Sequence, residues 1–260
     1  MLPPLSAEPM FFLGAFPVTN ALINAWIAVV FFVVVALLLT RRRMIPRGLQ
    51  NIAEALLETF LSFGDQVTGD RQKTEKLLPI GATIFLFVLF SNWIGLLPGT
   101  GSIGIWQLHN GEATLIPLLR PAGSDLNLTL AIAVFAVAVT HIVGIFTVGL
   151  VKHASKFLNI LGVIHAFKKG PMAVVVSIIQ LGVGLIELVG EAAKTLSLSL
   201  RLFGNIFAGE VLLTVLAGIL AFGLPIPFYF LELLVGIIQA SVFAILFMAF
   251  SAVAMMDLHA

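Results

Sequence analysis

Ser197–Glu210 reads SLSLRLFGNIFAGE: one arginine, one asparagine and one carboxylate in a tract otherwise made of Leu, Phe, Ile, Ala, Gly and Ser. The sequence stays apolar for long distances on both sides, so Arg201 cannot reach water past a helix end. A guanidinium is always charged and always needs acceptors. At membrane depth it costs about 3 kcal/mol on insertion scales. A charge held at that cost marks a functional position, and the rest of the chain is read outward from it.

Composition sets the class. The 260 residues are 60% hydrophobic and 10% charged, with a mean hydropathy of +1.11. Soluble domains are about a quarter charged, so the chain is an all-α polytopic membrane protein. The absence of cysteine excludes disulfides, thiolate chemistry and sulfur-ligated metals. Residues 1–19 hold no Lys or Arg, and the first apolar run is followed, not preceded, by Arg41, Arg42 and Arg43. The N-terminus is therefore not read as a signal peptide. No internal repeat or low-complexity segment is evident, and residues 1–260 are expected to form one membrane domain.

Residues 20–40 form an uncharged run, long enough to cross about 30 Å of hydrocarbon. After Pro46, the apolar residues Leu49, Ile52, Ala53, Leu56, Leu57, Phe60 and Leu61 recur at helical spacing, opposite Gln50, Asn51, Glu54 and Glu58. This predicts an interfacial amphipathic helix over 47–63, started by Pro46 and stopped by Gly64. Residues 77–98 and 126–151 are two further spans. Between them 99–125 reads as a loop with Glu112, Arg120 and Asp125, and a basic loop at 152–169 follows.

Basic residues set the orientation. Arg41, Arg42, Arg43, Arg47, Arg71, Lys73 and Lys76 fall in one loop, and Lys152, Lys156, Lys168 and Lys169 in another. Alternating spans put both loops on one side, which the positive-inside rule makes the inner one. The N-terminus, 1–19, is then outside and the C-terminus inside.

From Gly170-Pro171 to Gly223 no proline intervenes, and no turn residue beyond Gly190 lies near the middle. The expectation is one long, steeply tilted helix over 171–222 rather than a two-span hairpin. LPIP at 224–227 is read as the turn, and 228–256 as a second long tilted helix. The fold predicted is therefore five membrane-inserted helices plus the interfacial one.

Within 171–222, Glu187, Lys194 and Arg201 are spaced by seven and Asn205 follows four later, so all four share a narrow sector of the helix. Glu210, nine residues past Arg201, points to the opposite side. Glu232 and Gln239 are seven apart on the last helix. Acids toward both surfaces with a permanent cation between them resemble two aqueous half-pathways separated by a charge barrier. A structural ion pair of Arg201 with Glu187 or Glu191 is the competing reading; it leaves Glu210 and Glu232 without a basic partner. His141, mid-span with no acid at helical spacing, is read as a packing or hydrogen-bonding residue. His109, His153 and His165 are read as loop residues that nothing pairs as metal ligands.

These residues resemble a known family, subunit a of the F-type ATP synthase. SLSLRLFGNIFAGE (197–210) is its most specific match, and NWIGLLPG (92–99), PAGSDLNLTL (121–130) and IIQASVF (237–243) follow the family's pattern in the same order. The resemblance covers roughly 45–257. It implies a non-catalytic, proton-translocating stator subunit without cofactor or bound metal, in a bacterial inner membrane rather than a mitochondrial one. The implied partners are a ring of c subunits, peripheral-stalk b subunits and the lipid bilayer, with no nucleic acid. Arg201 would face the ring carboxylate, Asn205, Glu210, Glu232 and Gln239 would line the outer half-channel, and Glu187 and Ser197 the inner one. Glu232 stands where some members carry histidine, which leaves two carboxylates and no imidazole at the inlet.

Two other classes compete. A self-contained proton- or sodium-coupled transporter would show repeated halves and Gly/Pro-broken helix pairs, which the sequence lacks. An intramembrane enzyme would need a nucleophile and a base, and no Ser–His pairing is evident.

Overall fold

The protein is represented by a computed structural model that describes residues 4, 6–39, 48–97, 99–100, 103–109, 112–157, 170–220 and 223–256. Pro46, Arg41, Arg42, Arg43, Arg47, His165, Lys168 and Lys169 lie outside the described residues.

A short hairpin, β1 (Pro9–Leu13) and β2 (Phe16–Thr19), leads without a linker into α1 (Asn20–Leu38). The helix starts there because the Thr19 side chain accepts from the Leu22 N–H. Its buried face is Ala21, Ala25 and Ala28, small residues that let backbones approach closely. Lipid is as apolar as leucine, so hydrogen bonds must do the rest. Asn24 Nδ2 donates to the carbonyls of Ser91 (2.8 Å) and Arg120 (2.7 Å), and Asn20 Nδ2 to that of Pro117 (3.2 Å).

α2 (Leu49–Thr68) runs past the expected stop at Gly64. Gly64 is there for packing: a Cβ at this position would collide with Thr74, and Met248 Sδ also lies beside it. The stop is Gly69, at φ 67° in the left-handed region. α3 (Arg71–Leu96) is capped by Asp70, begins six residues before the expected span and packs against α1, α2 and the last helix.

The segment read as a loop contains a second hairpin, β3 (Gly104–His109) and β4 (Glu112–Pro117), and one 3-10 turn at Ala122–Ser124. Asp125 then caps α4 (Leu126–Val148), accepting from the Asn127 N–H. Gly149 separates α4 from α5 (Leu150–Phe157), so His153, expected in a loop, is helical and buried.

α6 (Pro171–Ile219) is one continuous helix of 49 residues. At 1.5 Å per residue it runs about 74 Å, more than twice the hydrocarbon thickness. α7 (Pro225–Ala254) returns alongside it. Its start corrects the reading of LPIP as a turn: Pro225 and Pro227 lie in its first turn, where a missing N–H has no helical partner to lose.

Of the seven helices among the described residues, α1, α3, α4, α6 and α7 are long and apolar enough to cross a membrane. α2 is not among them. The core lies where α3, α4, α6 and α7 meet, around Leu77, Val88, Ala133, Leu202, Ala244 and Phe247. Gly236, Ala240 and Ala244 repeat at fours on the buried side of α7, the small-residue spacing that brings two helices together without a hydrophobic drive.

Candidate functional site

The middle of α6 sorts its residues by face. Leu198, Ser199, Leu202, Ile206 and Gly209 are buried against the bundle, while Glu187, Ser197, Arg201 and Asn205 are exposed. Ser199 Oγ meets Thr129 Oγ1 at 3.2 Å, and this pins the rotation of the helix against α4. The four exposed polar residues therefore share one outward sector of a helix whose surroundings are leucine, valine and isoleucine.

Among the described residues no carboxylate lies within ion-pair distance of Arg201. This corrects the competing reading. Glu191 is already taken: its Oε1 accepts from Lys194 Nζ at 2.6 Å and its Oε2 faces His141 Nε2 at 3.7 Å. Lys194 Nζ also stands 5.0 Å over the Phe250 ring. Arg201 instead lines a shallow open cleft between α6 and α7 with Leu198, Leu202, Gln239, Val242 and Phe243. The cleft brings together two site residues the sequence had placed on different helices.

Glu210 and Glu232 lie near one another in the fold but in different surroundings. The expectation that neither has a basic partner is wrong for Glu210. Arg120 Nε donates to its Oε1 at 3.0 Å and its Oε2 at 3.1 Å, and the guanidinium also donates to the carbonyls of Ser6 (3.1 Å) and Pro4 (2.8 Å). Arg120 is almost fully enclosed, its side chain 3% exposed. The sequence offered one cue to it: a lone cation inside the apolar run LLRPA.

Glu232, on α7, is 6% exposed and its Oε1 has no hydrogen-bond partner. Its carboxyl group fills the place a side chain would occupy at Gly209 of α6; a Cβ there would overlap all three carboxyl atoms. A glycine in one helix thus makes room for an acid from the next, a fit that periodicity alone cannot reveal. Nearby Trp93 Nε1 donates to the Leu233 carbonyl at 3.2 Å and packs on Gly236, tying α3 to the same turn of α7. Asn92 Oδ1 accepts from the Gly123 N–H at 2.9 Å, which seats the segment carrying Arg120 against α3.

His141 also has partners the sequence did not show. Its Nδ1 lies 3.2 Å from His153 Nε2, and its other nitrogen faces Glu191. Both contacts are between helices. Among the described residues, no group of three or more His, Asp or Glu side chains is arranged to hold a metal ion.

The sequence profile of the ATP synthase A chain family matches residues 22–252. Three bacterial proteins named ATP synthase subunit a are similar over most of their length. That of Moorella thermoacetica is 31% identical over 238 residues, 91% of each chain. That of Campylobacter jejuni subsp. doylei is 34% identical over 82% of this chain and 80% of its own. That of Mycobacterium ulcerans is 36% identical over 78% of this chain and 72% of its own.

Proposed function

This chain belongs to the ATP synthase A chain family, as a multi-pass, non-catalytic membrane subunit concerned with proton transport in ATP synthesis, and we propose that Arg201 is the charge barrier between two offset half-channels that face a ring of c subunits. The observation that carries this reading is the isolation of Arg201: a permanent cation on the open face of α6, with no carboxylate among the described residues in ion-pair reach. A buried or lipid-facing arginine needs an acceptor. A carboxylate supplied by the passing ring is the partner this face lacks.

The steps follow from charge. A proton taken up from outside reaches the cleft through the region of Glu232, Glu210, Asn205 and Gln239 and neutralises a ring carboxylate. The neutral carboxyl can rotate into lipid, where the ionised one could not go. It loses the proton on the other side, where Glu187 and Ser197 lie on the open face of α6. Arg201 favours the ionised carboxylate as it passes, because an adjacent cation stabilises the charged form. Arg201 also repels a proton that would cross directly between the pathways. The drive is about 2.3 kcal/mol per charge per 100 mV.

The geometry divides the inlet acids. Glu210 is held by Arg120, whereas Glu232 is buried with no cation beside it among the described residues, and in this reading it is the inlet carboxyl that exchanges a proton. The remaining partners in this reading are the peripheral-stalk b subunits, the N-terminus faces outward and the membrane is a bacterial inner membrane.

ATP-driven proton pumping in vesicles tests the barrier. Arg201→Lys keeps the charge but loses the planar fork of donors, and is expected to abolish pumping; Arg201→Ala is expected to abolish it and to open a passive leak. Full pumping by both variants would overturn the proposal.

A further inference from the structure

Ten residues before Arg201, about 15 Å along α6, titratable groups from three helices meet. His141 comes from α4, His153 and Lys156 from α5, and Glu191 and Lys194 from α6. α7 contributes the Phe250 ring, under Lys194, and just past its end the Met256 carbonyl accepts from Lys156 Nζ at 3.1 Å. The proposed half-channels use none of these groups. The cluster is nevertheless built: Gly144 of α4 leaves the space that the edge of the His153 ring fills, with its missing Cβ only 2.7 Å from His153 Cε1 and 2.9 Å from Nδ1.

One assignment of hydrogens links these groups in a chain. His141 Nδ1 and His153 Nε2, 3.2 Å apart, share one hydrogen. His141 Nε2 faces the Glu191 carboxylate at 3.7 Å, and a hydrogen placed on that nitrogen points at the acid. A neutral His141 protonated at Nε2 has a bare Nδ1, and the shared hydrogen therefore belongs to His153 Nε2. His153 Nδ1 is then an unprotonated acceptor, enclosed and without a partner, on a side chain 6% exposed. Burial pushes the His153 imidazole below its usual range. His141 and Lys156 push the same way and Glu191 opposes them.

We propose that His153, His141 and Glu191 form a second proton-exchange site, a relay that passes protons between the α5 surface and α6, with Lys194 as a positioning residue that holds Glu191. The inference rests on the reading under Proposed function. A proton admitted to the enclosed His153 Nδ1 by a local opening of α5 from Gly144 drives the His153 Nε2 proton onto His141 Nδ1, and the His141 Nε2 proton moves to Glu191 Oε2. One proton enters, one is delivered, and neither ring ends with extra charge. The 3.7 Å step is bridged by a water or a small side-chain rotation. Proton release runs the same steps backwards. A His153 that binds protons weakly suits this task, because it passes a proton on without trapping it.

The test uses the assembled ATP synthase in vesicles, with ATP-driven pumping measured while the pH on the ATP side is stepped across the histidine range, about 5.5 to 8.5. His141→Gln, His153→Gln and Glu191→Gln are expected to slow pumping on the order of tenfold, less than a full chemical proton transfer contributes because water offers a parallel route. They are also expected to erase the histidine inflection on the ATP side alone. Added imidazole should restore the histidine variants, and Glu191→Asp should retain function. Assembled variants with unchanged rate and pH profile would overturn the relay. Arg201→Ala is run alongside: normal pumping there would overturn the underlying reading instead, so the two failures are distinguishable. Where a variant does not assemble, nitrogen-15 histidine spectra of the unaltered complex decide. Hydrogens on both Nε2 atoms and a response to ATP-side pH support the relay; Nδ1 hydrogens or no response overturn it.

Discussion

Arg120 Nε stands 3.0 Å from Glu210 Oε1 across ninety residues of sequence, and the same guanidinium holds the carbonyls of Pro4 and Ser6. One buried cation thus joins the N-terminal segment, the approach to α4 and the C-terminal half of α6. Breaking such a pair by removing one partner costs about 3–5 kcal/mol, because the other charge is left buried. Arg120→Met is expected to lower thermal stability by that order and to expose the N-terminus to protease. Arg120→Met with Glu210→Leu should recover most of the stability. Equal losses in the single and double variants, read by thermal unfolding in detergent, would show that the pair is not coupled.

Gly209 and Glu232 make a second coupled pair, held by volume. Gly209→Ala puts a methyl group where the Glu232 carboxyl lies, in a packed site between two helices. Overpacking of this kind costs about 1–3 kcal/mol, and here it also displaces the acid proposed for the inlet, so pumping should fall. Glu232→Gln keeps the volume and should not relieve Gly209→Ala, whereas Glu232→Ala should recover the stability, though not the pumping. A double-mutant cycle measures this; an interaction energy near zero would mean that the two side chains do not compete for space.

His153 links stability to pH. Its imidazole is held below the ordinary value of 6.5 in the folded chain. Above pH 6.5 it is neutral in both states and its full contribution is present. As pH falls through 6.5 toward the folded value, the unfolded chain binds a proton that the folded chain does not, so stability falls. The melting temperature should drop between about pH 7.5 and 5.5, and His153→Gln should flatten that drop. An identical slope in the variant would mean that other groups carry it.

How far each feature could be read from sequence depends on the range of the contact that makes it. α6 was legible because a helix needs only local hydrogen bonds, and fifty residues without a breaker leave no place to turn. The ends of α2 were not: Gly64 reads locally as a stop, yet its hydrogen atom is there to admit Thr74. The first hairpin is hard to read because β1 and β2 are short and carry no alternating pattern. The second was legible and overlooked: WQLH and EATL alternate around Asn110-Gly111, the dipeptide that a two-residue hairpin turn prefers. Of the site, the shared sector of Glu187, Arg201 and Asn205 follows from spacing on one helix, whereas Lys194, expected in the same stripe, is paired with Glu191. The pairing of Glu210 with Arg120, the nesting of Glu232 in Gly209 and the contact of His141 with His153 join separate elements, and no periodicity records them.

The sequence alone determined that this chain lives in a membrane and which helices are long enough to cross it. It also marked Arg201 as the charge that needs a reason, because hydrophobic run length and helical repeat are properties of consecutive residues. Tertiary structure decided which charges are already satisfied. It gave Arg120 to Glu210 and left Arg201 on an open face. Charges find partners across space rather than along the chain, and a cation becomes available to another molecule only when its own fold leaves it none.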